Sequence, residues 1–82
     1  MPHTRTHIRL NTTEEASRFV SQLNTDGTTD KYSIEDFDGV HRANARSLLG
    51  VIYAMSDFHD EMYLVNETQN GVYPSFVDAF RI

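Results

Sequence analysis

Hydrophobic positions along this chain recur with two different periods, and the two periods alternate. Three segments carry apolar residues at the spacing i, i+3, i+4, i+7, which places them on one face of an α-helix. Between these segments apolar and polar residues alternate with period two, as in a strand with one buried side. The pattern predicts the element order βαββαβα within a single domain spanning residues 1–82.

The three predicted helices are each defined by an apolar stripe. Thr12 and Glu15 precede the first stripe and form the residue pair of a capping box. Pro74 occupies the first helical position of the third, where a missing amide hydrogen costs nothing. The stripes are Ala16, Phe19, Val20 and Leu23, then Leu48, Val51, Ile52 and Met55, then Tyr73, Phe76, Val77 and Phe80.

Four strands are predicted around the helices, and a turn signal joins the second to the third. Asp38-Gly39 predicts a two-residue hairpin turn, because Asp and Gly suit its left-handed dihedral angles. Since each helix has one apolar face and each strand one apolar side, the prediction is an α+β fold: an open-faced β-sandwich with a four-stranded antiparallel sheet and helices on one face. The strands centre on Thr6–Leu10, Tyr32–Glu35, Val40–Ala43 and Met62–Val65.

Composition narrows the classes of function. The chain has 7 basic and 12 acidic residues and a net charge of −5, which argues against nucleic-acid binding, since that depends on neutralising phosphates. It contains no cysteine, which excludes disulfides and thiolate chemistry. No apolar run approaches the roughly 20 residues of a membrane span, and no apolar segment follows the N-terminus as in a secretory signal. We therefore expect a cytoplasmic protein without membrane partners.

Residues 44–51 contain the most informative segment, which reads NARSLLGV. This segment resembles the regulatory-serine region of the HPr family, the histidine-containing phosphocarrier proteins of the bacterial sugar phosphotransferase system. The resemblance extends over most of the chain in predicted element order, while residue matching is confined to residues 44–51. It implies that a dedicated kinase phosphorylates Ser47, and that kinase and enzyme partners dock on Arg46, Leu48 and Val51.

The chemistry of Ser47 admits two interpretations. A helix N-terminus has free amide groups and a partial positive charge, so a phosphate on Ser47 would be stabilised there and would add about −2 charge. Serine is also among the best N-cap residues without any phosphorylation. The sequence alone leaves both interpretations open.

The start of the first helix departs from the HPr pattern. Family members carry the phosphate-bearing histidine there, followed by Ala-Arg-Pro, whereas residues 11–16 read NTTEEA. Thr12 and Thr13 occupy the corresponding anion site, but a threonine needs an activating base to relay a phosphoryl group. Glu14 and Glu15 would repel an incoming phosphate. We therefore expect no enzymatic activity and no conventional carrier function.

The four histidines offer few alternatives. His7 and His41 are predicted to face solvent on strands, His59 lies in the polar connection after the second helix, and His3 is close to the N-terminus. Their spacing gives no convincing metal site, since spacing alone provides neither geometry nor supporting groups. No nucleotide-binding or nucleophile motif is visible, so we expect neither a metal nor a cofactor.

Three hypotheses follow. The leading one is a non-catalytic, HPr-like regulatory or protein-interaction domain whose partners are a serine kinase and phosphotransferase or regulatory proteins. The second is an active phosphocarrier that uses an unorthodox histidine, such as His7 or His41. The third is a structural accessory domain without any link to phosphotransfer. The sequence does not determine the oligomeric state.

Overall fold

The computed structural model describes residues 4–82, so His3 lies outside the described residues. Four strands, two α-helices and one 3₁₀ helix follow one another in the predicted order. Their bounds are β1 (Thr6–Ile8), α1 (Thr13–Asn24), β2 (Tyr32–Glu35), β3 (Arg42–Asn44), α2 (Leu48–Asp57), β4 (Met62–Asn66) and the 3₁₀ helix (Ser75–Phe80). None of these helices is long and apolar enough to cross a membrane.

The four strands form one antiparallel sheet in the order β1-β4-β2-β3. Cross-strand register places Ile8 opposite Met62 and Leu64 opposite Ile34, so these four side chains share one face. They belong to the same buried cluster as the apolar residues of α1 and α2. Both helices therefore pack on that face, and the α+β architecture with an open antiparallel sheet is confirmed.

The prediction for α1 is confirmed. Its buried residues are Ala16, Phe19, Val20 and Leu23, the predicted stripe. Thr12 is the N-cap and accepts a hydrogen bond from the Glu15 amide at 3.1 Å. The Glu15 carboxylate in turn accepts the Asn11 amide at 2.6 Å, so the helix start is closed from both sides.

The predicted apolar stripe of α2 is confirmed at Val51, which is fully buried, and is wrong at Leu48. Val51 and Ala54 are its buried residues, while Leu48 is 39% exposed. Residues 48–55 are apolar at almost every position, so the 3.6-residue period fits more than one face, and the packing against β3 and β2 decides between them. The helix therefore turns leucines towards solvent.

The connection between β2 and β3 is longer than the predicted two-residue turn. Residues 36–41 separate the strands, and the Gly39 amide donates to the Asp36 carbonyl at 3.1 Å. A two-residue type I′ turn would require positive φ at Asp38 as well as Gly39. Gly39 has φ +73°, but the non-glycine residue with positive φ in the described part of the chain is His59. The returning strand begins at Arg42 rather than Val40, so His41 lies in the loop.

The central strand β2 is buried on both sides, not on one as alternation predicts. On the face away from the helices, long side chains of neighbouring elements cover it. The Glu35 carboxylate lies 2.8 Å from Arg42 and 3.6 Å from Arg5. Ser33 donates to Glu67, which also pairs with Arg42 at 2.7 Å. This layer of ion pairs supplies the cover that a second sheet or helix would otherwise give.

The third helix is a 3₁₀ helix and not an α-helix. Pro74 occupies its N-cap rather than its first turn, and the Val77 amide donates to the Pro74 carbonyl. Such tight helices are favourable only in short pieces. After it, the Arg9 amide donates to the Phe80 carbonyl and the Ile82 amide to the His7 carbonyl, so the C-terminal residues cover the outer edge of β1.

Candidate functional site

Ser47 is the N-cap of α2, as one of the two interpretations predicts. Its Oγ accepts a hydrogen bond from the Gly50 amide at 3.2 Å, and its side chain is half-buried. The hydroxyl therefore satisfies an amide that has no partner within the helix. Whether it is also a phosphoacceptor remains a prediction.

Gly50 keeps the start of α2 in close contact with β3. A Cβ placed on Gly50 would lie 2.7 Å from the Asn44 carbonyl oxygen and 3.3 Å from the Asn44 amide nitrogen. Any side chain would therefore push the helix away from the strand. This close approach of the two backbones explains why α2 contains a glycine here, although glycine is less favourable than alanine inside a helix.

Arg46 faces its own chain. Its Nη1 donates to the Leu23 carbonyl at 2.6 Å, its Nε to the Asp30 carbonyl at 2.9 Å, and its Nη2 to Thr28. The guanidinium also lies 5.3 Å from the centroid of the Tyr32 ring. Asn24 at the end of α1 returns a hydrogen bond to the Arg46 carbonyl. These contacts tie the C-terminal end of α1 to the residue that precedes Ser47. The predicted partner contact of Arg46 stays untested, but the arginine already has a structural role.

Exposed apolar residues of α2 follow Ser47, but they do not include every residue that the sequence predicted. Leu48 is 39%, Leu49 81% and Tyr53 41% exposed. Val51 is 0% exposed, so its assignment to the partner-binding surface is wrong; its side chain belongs to the core beneath. We call the exposed residues Leu48, Leu49 and Tyr53 the α2 face.

Sequence reasoning missed Leu49 and Tyr53, although a signal was present. Both residues fall outside the predicted apolar stripe, and a helix that keeps large apolar side chains off its stripe has more apolar surface than its own core needs. Phe58, which follows α2, does not extend this surface: it is 6% exposed and packs edge-to-face against Tyr53 at 5.6 Å between ring centroids.

Thr12 and Thr13 lie exposed at the start of α1, as predicted. The Thr12 hydroxyl accepts the Glu15 amide, and Glu14 and Glu15 place two carboxylates in the same turn. The environment suits a helix cap and is electrostatically unfavourable for a phosphate. The anion site at this position stays a prediction.

Among the described histidines, His7 and His41 make structural contacts, and His59 lies in a turn. His7 Nε2 lies 2.7 Å from the Asp60 carbonyl oxygen, and its ring stacks on Tyr63 with 4.5 Å between centroids. His41 Nδ1 lies 3.0 Å from Asp36 Oδ2. His59 has φ +54°. Among the described residues no group of three or more His, Cys, Asp or Glu side chains could hold a metal ion.

A cavity of about 460 Å³ lies between residues 29–33 and β3. Lys31, Arg42 and Arg46 line it, but so do Asp30 and Glu67. Arg42 and Lys31 pair with Glu67, and Arg46 with backbone carbonyls. The charges of this cavity are therefore compensated by the chain itself.

A smaller cavity of about 260 Å³ lies at the other end of α2. It is lined by Asp36 and His41 of the β2–β3 loop and by Tyr53, Asp57 and Phe58. Burial alone would raise the pKa of Asp36, but hydrogen bonds from the His41 ring and from the His41 and Val40 amides lower it below its usual value. Tyr53 belongs to both the cavity and the α2 face, which makes the two surfaces continuous.

Comparison of the chain with protein-family models, with curated proteins and with solved structures finds no match.

Proposed function

We propose that this chain is a non-catalytic, HPr-like protein-interaction domain, cytoplasmic and related to the phosphoenolpyruvate-dependent sugar phosphotransferase system. It acts by docking partners on the α2 face, and phosphorylation of Ser47 switches that docking. The observation that carries the proposal is the position of the half-buried Ser47 at the N-terminal end of a helix whose Leu49 side chain is 81% exposed.

The physical basis is the coupling of charge and apolar surface at one helix end. A phosphate on Ser47 would take over the Gly50 amide that the hydroxyl now engages, and the partial positive charge of the helix end favours the anion. The same phosphate would add about −2 charge beside Leu48 and Leu49. A partner with a basic rim would then bind more tightly, and a partner with an acidic rim less tightly.

The chemistry at the start of α1 supports the non-catalytic part of the proposal. Thr12 is used as a cap, and Glu14 and Glu15 add negative charge where a carrier would hold a phosphoryl group. The hydrogen bonds of this turn place no base beside the Thr12 or the Thr13 hydroxyl.

The test is incubation of the purified protein with an HPr serine kinase and ATP, followed by intact-mass measurement. We expect the mass of one phosphate on the wild type and on Ser56→Ala, and none on Ser47→Ala. Ser56 is a matched control, because it is an exposed serine on the same helix. An unchanged wild-type mass, or a phosphate that persists in Ser47→Ala, would defeat the switch.

A separate incubation tests the carrier alternative. Phosphoenolpyruvate and the first enzyme of the phosphotransferase system should leave the mass unchanged. An acid-labile phosphate that disappears in His7→Gln or His41→Gln would replace the non-catalytic proposal with the carrier.

A further inference from the structure

The cavity between α2 and the β2–β3 loop has the properties of a site for a cationic side chain. Two carboxylates, those of Asp36 and Asp57, line its walls, and the partly exposed ring of Tyr53 forms another wall. A guanidinium or ammonium group is attracted both by carboxylates and by the face of an aromatic ring. The volume of about 260 Å³ suits one side chain rather than a cofactor, since small-molecule pockets are usually larger than about 300 Å³.

The C-terminal end of α2 adds a second, independent attraction for a cation. Backbone carbonyls at a helix C-terminus carry a partial negative charge, which a basic residue in the last turn normally offsets. The last turn of α2 contains no basic residue, and its final residue is Asp57. An acid at this position is unfavourable for the helix itself. Only a cation from outside the helix can therefore offset the negative charge at the C-terminal end of α2.

The nearby cations of the chain do not fill this role. The Arg5 guanidinium donates to the Asp36 and Phe37 carbonyls on the sheet side of the loop and is not among the residues that line the cavity. His41 lines the cavity and lies against Asp36. Asp57, by contrast, forms no ion pair with any described residue, so the chain itself supplies no cation beside this carboxylate.

We infer that the α2 face and this cavity together receive one kind of partner segment: an apolar helix face that carries a lysine or arginine, whose side chain enters the cavity beside Asp57. The inference rests on the proposed function, because it names the chemistry of the partner that docks on α2. Leu48, Leu49 and Tyr53 present apolar area, and the acidic groups lie at one end of it. This distribution favours an apolar partner segment with a cationic side chain at the matching end. A symmetric contact between the α2 helices of two copies of this chain would not supply that cation, because α2 carries no basic residue.

The experiment uses two helical peptides with identical apolar residues at i, i+3, i+4 and i+7, one ending in arginine and the other in glutamine. Each is titrated into the isotopically labelled full chain and followed by backbone amide shifts. We expect the arginine peptide to bind about threefold more tightly or better, as for a partly exposed ion pair. The largest shifts should fall on Tyr53, Asp57 and the 36–41 loop.

The controls separate the cavity from general electrostatics. Asp57→Asn should remove the preference for arginine. Asp78→Asn should keep it, since Asp78 is an exposed acid of the 3₁₀ helix that pairs with Arg81. Both variants should unfold at the denaturant concentration of the wild type or above it.

Equal binding of both peptides, or a preference that survives Asp57→Asn, would overturn the cation site while leaving docking on α2 intact. No binding of either peptide would overturn the cation site, and the proposed function would then be judged separately by the phosphorylation of Ser47.

Discussion

The hydroxyl of Ser47 has a structural role in the unmodified chain. It caps α2 through the Gly50 amide, and loss of a serine cap costs about 1 kcal/mol. We expect Ser47→Ala to lower the free energy of unfolding by about that amount, and Ser56→Ala to change it by a few tenths at most. Denaturant unfolding of the two variants measures the difference. Equal stability of both variants would contradict the capping geometry.

Gly50 provides a test of the close contact between α2 and β3. In an open helix Gly→Ala is stabilising by about 1 kcal/mol, but here the new Cβ would lie 2.7 Å from the Asn44 carbonyl oxygen. We expect Gly50→Ala to destabilise the protein by about 1–3 kcal/mol, as overpacking does. Thermal and denaturant unfolding check the sign. A stabilised variant would show that α2 does not contact Asn44.

Asp36 connects the β2–β3 loop to pH. Its pKa is lowered in the folded state, so its contribution to stability is present above the usual aspartate value near 3.9. That contribution is lost as the pH falls through the lower folded pKa. We expect the stability difference between wild type and Asp36→Asn to shrink as the pH falls below the usual aspartate value of about 4. Denaturant unfolding across that range measures it, and a constant difference would contradict the hydrogen bonds to the loop.

At the scale of elements, Arg46 makes one structural unit from the end of α1, residues 28–30 and the start of α2. Removing it leaves the Leu23 and Asp30 carbonyls without their donors. We expect Arg46→Ala to lower the free energy of unfolding by about 2–3 kcal/mol, with partial rescue by Arg46→Lys. Arg18→Ala, on the exposed side of α1, is the control and should change little. An Arg46→Ala variant as stable as this control would mean that the arginine is free for a partner.

The opposite end of α2 makes a prediction of the other sign. Replacing Asp57 removes a negative charge from a helix C-terminus, where negative charge is unfavourable. Asp57→Asn should raise the free energy of unfolding by about 0.3–1 kcal/mol, more at low salt than at high salt. A destabilised variant would show that Asp57 supports the fold and does not wait for a partner's cation.

The elements also show which parts of the fold were predictable. The stripe of α1 has polar residues on every other side, so its buried face was unambiguous. In α2 almost every position is apolar, so the periodicity could not exclude Leu48 from the buried face, and the HPr resemblance alone placed Val51 on the docking surface. The double burial of β2 depends on Arg5, Arg42 and Glu67 from other elements, which local alternation does not report.

At the scale of the whole molecule, the sheet side and the helix side differ in how their charged residues are paired. On the face of the sheet away from the helices, Arg5, Arg42 and Lys31 pair with Glu35 and Glu67. The helix side combines the apolar α2 face with acidic residues, such as Asp57, that form no ion pair with the described residues. The site could be predicted as far as Ser47 and Leu48, because helix start signals are local. The cavity beside Asp57 could not, because its walls come from residues 36–41 and 53–58.

The proposed function requires that the α2 face is the docking surface and that Ser47 controls it. Calorimetric titration of phosphotransferase and regulatory partners into the unmodified and Ser47-phosphorylated protein tests this directly, with Leu49→Asp as the disrupting variant and Val72→Asp, another exposed apolar position, as its control. We predict binding by one of the two phosphorylation states, loss of at least about 2 kcal/mol of binding free energy in Leu49→Asp, and little change in Val72→Asp. Binding that is independent of both phosphorylation and Leu49, or no binding in either state, would contradict it.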